Sequence, residues 1–246
     1  ILVRKEPVWY MFRKYWRSAA RSWKFNILKA EKCIPIPIVS EFKLKIEDYK
    51  MKILNFGSLN LDYVYQVEHM VQPGETLLSA DRKVFCGGKG LNQSIALARA
   101  GAEVYHAGLI GPEGGMLVDI LKEAKVNVDL VDQIEEATGH AMIQVDIDGQ
   151  NCILLYGGAN RKIDQVMVDR VLAQFEAGDI LVLQNEISEL EYIIDKAYEK
   201  KMKIVLNPSP WSESLTKIDP AKITLYICNE IEAQAMTGQQ EPEEIL

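Results

Sequence analysis

The order of apolar and polar segments after residue 50 predicts a parallel α/β sheet. Short apolar runs, of which Ile180-Leu181-Val182-Leu183 is typical, suit strands that are buried on both faces. Amphipathic segments of helical period lie between these runs, and this alternation favours a doubly wound sheet with helices on either side. The predicted strands cover residues 52–56, 103–110, 126–131, 179–183, 203–206 and 223–228, and the predicted helices cover residues 91–100, 116–124, 164–175, 189–200 and 230–236.

Two strand-like hairpins interrupt this alternation. Residues 63–69 and 77–85 flank a Pro73-Gly74 turn, and residues 141–147 and 151–156 flank Asp148-Gly149, a strong hairpin signal. Four such strands predict a small antiparallel β-sheet that projects from the main domain. We expect this sheet, over about residues 63–85 and 140–157, to act as a lid that covers a ligand and excludes water.

Charge divides the chain into two parts. Residues 1–50 contain 12 Lys+Arg and 5 Asp+Glu (net +7), whereas the remaining 196 residues contain 16 and 30 (net −14). Trp9, Trp16 and Trp23 recur every seventh residue in a predicted basic helix. We interpret residues 1–50 as a basic N-terminal extension, either an over-extended reading frame or an accessory helix, with RNA or membrane binding as a further alternative. Residues 51–246 are the predicted main domain.

The composition, with 48% hydrophobic and 26% charged residues, is that of a globular protein. No apolar run reaches the roughly 18 residues that a membrane-spanning helix needs. The four cysteines and three histidines are scattered without metal-binding spacing. This pattern disfavours a zinc site and predicts reduced thiols in a cytoplasmic protein.

Polar residues follow the first predicted strand and open the first predicted helix. Asn60 and Asp62 are two positions apart in an extended segment, so their side chains point the same way and could bind adjacent hydroxyl groups, although Asx turns are an alternative. Gly87-Gly88-Lys89-Gly90 begins the helix, where free backbone N–H groups can meet ligand oxygens. Lys89 and Asn92 face the same space. A plain helix-starting turn is the alternative, and a Walker A loop is excluded because no Ser or Thr follows the lysine.

Two further strand ends carry candidate residues. Glu186 lies at the carboxyl edge of the predicted strand 179–183, where its carboxylate would suit a sugar hydroxyl or be a solvated turn residue. Asn229 and Glu232 have the spacing of a helix capping box. The functional alternative gives Asn229 to a nucleotide phosphate and Glu232 to the hydration shell of Mg²⁺.

Taken together, these motifs resemble the PfkB-type (ribokinase) family of carbohydrate kinases over residues 51–246. The resemblance rests on ordered motifs, of which the PGET and GGKGxNQ segments are similar to the ribose-specific pattern: Gly57-Ser58-Leu59-Asn60-Leu61-Asp62, Pro73-Gly74-Glu75-Thr76, Gly87-Gly88-Lys89-Gly90-Leu91-Asn92-Gln93, Gly157-Gly158-Ala159-Asn160, Leu206-Asn207-Pro208-Ser209-Pro210 and Asn229-Glu230-Ile231-Glu232.

The resemblance implies a three-layer αβα sandwich with a β-lid and ATP-dependent phosphorylation of a sugar, with D-ribose expected. It implies Mg²⁺ and, for the whole enzyme, potassium as cofactors, and a homodimer formed through the lid. Neither nucleic acid nor a membrane is an expected partner on this interpretation. The sugar would be held by Asn60, Asp62, Gly88, Lys89, Asn92 and Glu186. The ATP·Mg²⁺ side would be served by Asn229 and Glu232, with Glu232 toward the metal.

The sequence departs from the family at the catalytic base. The Gly-Ala-Gly-Asp motif that should supply it is expected beyond Leu246, so no catalytic residue is assigned, and we expect this chain to be an incomplete form with little activity. Ala177-Gly178-Asp179 resembles part of that motif but leads into a predicted strand, so we interpret it as an ordinary turn.

Other functions remain open from the sequence. A non-catalytic sugar-binding or regulatory module would retain the sugar site alone. Within the kinase interpretation, fructose, a nucleoside or a keto-deoxy sugar acid are alternative substrates. The basic first fifty residues would carry the RNA or membrane alternative.

Overall fold

The structure is a computed structural model that describes residues 51–239. The predictions for residues 1–50 and 240–246 lie outside this range. Its strands are β1 (Ile53–Phe56), β2 (Asn60–Gln66), β3 (Asp81–Gly87), β4 (Val104–Ile110), β5 (Asn127–Gln133), β6 (Gly139–Val145), β7 (Asn151–Tyr156), β8 (Ile180–Gln184), β9 (Lys203–Asn207) and β10 (Leu225–Tyr226). Its α-helices are α1 (Lys89–Arg99), α2 (Gly115–Glu123), α3 (Gln165–Leu172), α4 (Leu190–Glu199) and α5 (Glu230–Thr237).

The central sheet is parallel throughout, in the order β10-β9-β8-β1-β4-β5. Helices α1 and α2 pack on one face of it, and α3 and α4 pack on the other. Strand β8 shows why its sequence is continuously apolar: Leu181 and Leu183 face the α3–α4 layer, while Ile180 and Val182 face the α1–α2 layer. The predicted three-layer sandwich is confirmed.

The last strand is shorter than the apolar pattern over residues 223–228 predicts. Only Leu225 and Tyr226 pair with β9. A short 3₁₀ turn, Pro220–Lys222, directly precedes this segment, and helix α5 begins four residues after Tyr226. The chain therefore touches the sheet edge only briefly before it enters the helix.

The smaller sheet lies where the lid is predicted and has the order β3-β2-β6-β7; we refer to it as the lid sheet. Its two hairpins are antiparallel, but β2 and β6 pair in parallel, so the prediction of a wholly antiparallel lid is wrong. The cause is topological. Strand β2 continues from β1 and β6 follows β5, and because β1 and β5 are parallel, both hairpins leave the same edge of the central sheet in the same direction.

The turn after β1 packs backbone to backbone against the beginning of α1. The Leu91 amide donates to the Ser58 carbonyl at 3.0 Å. A Cβ atom on Gly90 would lie 2.4 Å from the Ser58 nitrogen and 2.7 Å from the Gly57 Cα. No side chain can yield at this contact, so only glycine fits.

A buried polar network lies beneath this contact. The Asn55 Nδ2 group donates to the Gly90 carbonyl at 2.8 Å and to Ser94 Oγ at 2.9 Å, and Gln184 Nε2 donates to Asn55 Oδ1 at 2.9 Å. Ser94 Oγ lies 2.7 Å from Nδ1 of the fully buried His106. Burial lowers the pKa of His106 to about 4, so the imidazole is neutral at physiological pH. The network thus fixes the Gly90 carbonyl from below.

We expect Gly90→Ala to lower the free energy of unfolding by about 3 kcal/mol, because the added methyl group meets backbone atoms. Gly115→Ala is the matched control: it lies at the start of α2, and a Cβ there meets nothing within 4 Å. The control should leave stability unchanged or raise it slightly. Urea denaturation of both variants measures the difference, and equal stabilities would show that the contact is not tight.

The low pKa of His106 makes stability depend on pH with a defined sign. The unfolded chain takes up this proton near pH 6.5 and the folded chain near pH 4, so stability falls as the pH is lowered through this window. The full loss from this group is about 3 kcal/mol. Denaturation at pH 7 and pH 4.5 should show a smaller loss in His106→Gln than in the parent chain. Equal losses in His106→Gln and in the parent chain would contradict this assignment.

Candidate functional site

The residues predicted to hold the sugar lie at the carboxyl ends of β1 and β8, which are neighbours in the sheet. Glu186 follows β8, and its Oε1 atom accepts from Lys89 Nζ at 2.8 Å. Its Oε2 atom accepts from the Lys89 backbone amide at 3.1 Å and from Ser58 Oγ. Ser58 Oγ in turn accepts from the Gly90 amide at 3.2 Å. One carboxylate therefore joins three separate segments of the chain.

Glu186 is not the solvated turn residue that the sequence left open. Its side chain is 10% exposed, and it lies at the amino end of α1, where the helix dipole favours an anion. Three donors compensate the burial of this charge, whereas the partner Lys89 remains 36% exposed. The contact orients the ammonium group while leaving it accessible.

Asn60 and Asp62 lie in lid strand β2 rather than in a loop after β1, so the Asx-turn alternative is wrong. The two side chains share one face of the strand, as predicted. A Cβ atom on Gly87 would lie 2.2 Å from Asp62 Oδ2, so the carboxylate lies directly over that glycine of β3. Burial raises the pKa of Asp62, and the negative charge of Glu186 raises it further. Asp62 is therefore close enough to Glu186 for their charges to interact.

Gly88 and Asn92 complete the predicted sugar side. Gly88 has φ +97°, and a Cβ atom there would lie 2.8 Å from the Ser58 carbonyl oxygen, so glycine is required. Asn92 is exposed on the first turn of α1, three residues after Lys89, so both side chains project from the same helix face. The structure thus brings the predicted sugar residues of three segments to one region.

Asn229 and Glu232 form the capping box at the start of α5. Asn229 Oδ1 accepts from the Glu232 amide at 2.8 Å, and Glu232 Oε2 accepts from the Asn229 amide at 3.0 Å. Asn229 Nδ2 and Glu232 Oε1 have no hydrogen-bond partner among the described residues. Because β10 is two strands from β8, α5 begins on the order of 10 Å along the same sheet edge from Glu186. The structural role is observed, and it leaves one polar atom of each side chain for a ligand.

Other features of the described residues lie away from this region. A cavity of about 520 Å³ is on the far side of the segment after β8, lined by Arg161, Asn185, Glu189, Tyr192 and Lys217 among others, and it contains none of the predicted sugar residues. Asp179 accepts from the amides of Lys52 and Glu176 before β8 begins, at the opposite sheet edge, which confirms an ordinary turn.

Two negative findings apply to residues 51–239. No group of three or more His, Cys, Asp or Glu side chains is arranged to hold a metal ion. None of the helices has the length and apolar character that crossing a bilayer requires.

Sequence reasoning missed two residues that organise the site, Ser58 and Asn160. Ser58 links Glu186 to the amino end of α1, and Asn160 binds the backbone of Leu59 and the side chain of Asn60. Both occur in motifs that the sequence analysis quoted. In each motif the available signal was a small polar residue close to glycines. The residues that it contacts are distant in sequence, so its role could not be predicted.

Comparison with known proteins identifies the family. The model of a family described as pfkB family carbohydrate kinase matches residues 50–246 of this chain. The chain is 33% identical over 193 residues to a ribokinase of Haemophilus influenzae and 34% identical over 193 residues to a ribokinase of Staphylococcus aureus. Each alignment covers 76% of this chain, and the chain spans 63% of the length of these curated relatives.

Solved structures with a similar fold include ribokinases. A ribokinase of Cryptococcus neoformans in complex with ADP matches with a TM-score of 0.68 and 31% identity, over 80% of this chain and 65% of that one. An Arabidopsis thaliana ribokinase complexed with ribose and ATP matches with a TM-score of 0.65 and 26% identity, over 79% and 65%. The family match, the sequence identity and the fold all agree, and the chain therefore belongs to the pfkB family of carbohydrate kinases.

Proposed function

We propose that this protein transfers the γ-phosphoryl group of ATP to a hydroxyl group of ribose. The observation that carries the proposal is the single polar cluster in which lid strand β2 presents Asp62 beside the Lys89–Glu186 pair. Relatives that are 33% and 34% identical to this chain are named ribokinases, and a similar ribokinase structure is complexed with ribose and ATP.

The cluster suits a small molecule with several hydroxyl groups. The Asp62 carboxylate accepts hydroxyl hydrogens, Lys89 and Asn92 donate to hydroxyl oxygens, and Gly88 lets the backbone approach the ring. Glu186 orients Lys89 and keeps lone pairs for a sugar hydroxyl. We assign Asn60 to the same ring as a donor. Such fixed groups hold the sugar in one orientation, and positioning of this kind supplies much of the catalysis in phosphoryl transfer.

The nucleotide belongs, on this proposal, over β9 and β10. Asn229 Nδ2 would donate to a phosphate oxygen, and Glu232 Oε1 would bind the water shell of Mg²⁺. A single carboxylate fits an ion that arrives with the nucleotide and keeps most of its waters. When bound, Mg²⁺ neutralises charge on the transferring phosphates. The catalytic base and the potassium site of the family concern segments that the described residues do not include.

We also propose that a second copy of this chain covers the lid. Phe85 lies opposite Asp62 in the sheet, and Leu155 lies opposite Ala141 in the same row, so both share the face that carries the Asp62 carboxylate. Phe85 is 50% exposed and Leu155 is 55% exposed, and strand β7 is exposed along its whole length. An apolar surface beside a binding site is characteristic of an interface. A homodimer through the lids would bury it and shield the sugar from water.

A non-catalytic sugar-binding module is the second candidate, because every proposed sugar-binding residue lies within residues 51–239. Calorimetry with ribose, with and without a non-hydrolysable ATP analogue, separates the two. Sugar affinity that the nucleotide changes supports the kinase, and sugar affinity that ignores it supports the module. The RNA or membrane alternative rests on residues 1–50, outside the described range. The cytoplasm is our proposed compartment, and the free thiols of Cys86 and Cys152 support a reducing environment.

We expect Asp62→Asn to weaken ribose binding at least tenfold, because the amide replaces one acceptor oxygen by a donor and removes the charge that strengthens the hydrogen bonds. Stability should stay equal or rise, since the raised pKa means that ionised Asp62 destabilises the folded state above its usual titration range. Ribose affinity of the parent chain should also fall as the pH is lowered through this raised pKa, because protonation removes an acceptor. Calorimetry and thermal denaturation measure both effects.

Asp148→Asn, at the tip of the second lid hairpin, is the matched control and should bind ribose as the parent does. An Asp62→Asn variant with parental affinity would remove Asp62 from the site. Weakened binding accompanied by an equal loss of stability would indicate a structural role instead.

For the lid interface, we expect Leu155→Lys to convert a dimer into a monomer in sedimentation velocity, because it places a charge on the apolar face. Val166→Lys, on α3 and 76% exposed, changes a residue of comparable exposure away from the lid and should leave the dimer intact. A monomeric parent chain, or equal dissociation by both variants, would overturn the proposed interface.

A further inference from the structure

We propose that Asn160 is a specificity-determining positioning residue that fixes Asn60 as a hydrogen-bond donor to the sugar. Asn160 is 2% exposed and belongs to the 3₁₀ turn Gly158–Arg161 that follows the last lid strand. It is not itself one of the proposed sugar ligands. The inference rests on the proposed function and assigns a chemical sense to one contact within it.

The backbone of Leu59 determines the orientation of the Asn160 amide. Asn160 Oδ1 accepts from the Leu59 amide at 3.0 Å, and Asn160 Nδ2 donates to the Leu59 carbonyl at 3.2 Å. A backbone N–H can only donate and a backbone carbonyl can only accept. The two ends of the Asn160 side chain are therefore not interchangeable.

This orientation passes to Asn60. Asn160 Nδ2 also lies 2.7 Å from the Asn60 side chain, and since Nδ2 has only hydrogens to offer, the Asn60 atom facing it must be Oδ1. Asn60 Nδ2 consequently points away from Asn160. It donates to none of the described residues and is not among their fully buried polar atoms without a partner. On the side away from Asn160, Asn60 thus presents its N–H groups rather than its oxygen.

The surroundings leave no room for a different arrangement. A Cβ atom on Gly139, the residue paired with Asn60 in β6, would lie 2.1 Å from Asn160 Nδ2 and 2.4 Å from Asn60 Oδ1. The amide pair therefore occupies the space that glycine vacates. The Asn160 carbonyl also accepts from the Ser188 amide at 3.1 Å, two residues after Glu186. Asn160 thereby ties the lid strand to the segment that carries the Glu186 carboxylate.

The consequence is a directional pair along β2. Asn60 presents a donor and Asp62 presents an acceptor, so a bound sugar must turn an oxygen lone pair toward the first and a hydroxyl hydrogen toward the second. A sugar that lacks the hydroxyl facing Asn60 loses that bond. Asn160 imposes this requirement without being a proposed sugar ligand, because its side chain binds Leu59 and Asn60.

The first arm of the test needs no ligand. In the parent chain, the Asn160 side-chain amide protons should exchange slowly with solvent and show nuclear Overhauser contacts to Asn60 by NMR. Fast exchange, or no such contact, would overturn the inference whether or not the protein binds ribose. This arm separates the inference from the proposed function.

The second arm measures ribose affinity by calorimetry in four variants. Asn160→Asp replaces the donor by an acceptor and forces the Asn60 amide to turn; Asn60→Asp keeps the bond from Asn160 but presents an acceptor to the sugar. Each should weaken ribose binding about tenfold. Asn60→Ala alone and combined with Asn160→Asp completes a double-mutant cycle. In the Asn60→Ala background, Asn160→Asp should change affinity less than twofold.

Each outcome either supports or overturns the inference. An Asn160→Asp loss that persists at full size without the Asn60 side chain shows a lid-hinge role and overturns the inference, as does parental affinity in Asn60→Asp. Should Asn160→Asp fail to fold, Asn60→Asp carries the test, since it leaves the Asn160 amide with an acceptor. A parent chain that binds no ribose overturns the proposed function and, with it, the sugar contact, while the first arm still reports on the amide pair.

Discussion

The backbone contact between the turn after β1 and the amino end of α1 is the constraint on which the site depends. Gly57 and Gly90 approach so closely that no side chain fits between them. The Glu186 carboxylate holds this contact from the side, through Ser58 and both the backbone and the ammonium group of Lys89. Since the lid strand β2 begins two residues after Ser58, the same contact fixes where the lid leaves the central sheet.

The sequence predicts those features that depend on residues close together in the chain. The continuously apolar β8 was identifiable because a strand buried on both faces has no polar side, and the Asn229–Glu232 capping box because its partners are three residues apart. The parallel pairing of β2 with β6 could not be predicted locally, because it depends on the relative direction of strands that are far apart in sequence. Asn160 escaped for the same reason: its partner Asn60 is 100 residues away.

The two carboxylates of the candidate site differ in how well the protein compensates their charges. The Glu186 carboxylate pairs with Lys89, whereas burial, together with the negative charge of Glu186, raises the pKa of Asp62. Glu186 is compensated by its three donors, whereas for Asp62 burial and the neighbouring charge both oppose ionisation. An acceptor that the protein itself leaves poorly compensated gains most when a ligand supplies hydroxyl hydrogens. On the proposed function, the free energy that ionised Asp62 costs the folded chain would be recovered when a sugar hydroxyl donates to it.

The parallel pairing of β2 with β6 bears on how the molecule assembles. Asn60 and Gly139 are neighbours in this ladder although 79 positions separate them along the chain. A ladder of that kind closes a long loop and gains little until β1, β4 and β5 have already aligned. We therefore expect the face of β2 that carries Asn60 and Asp62 to form late, after these three strands have aligned.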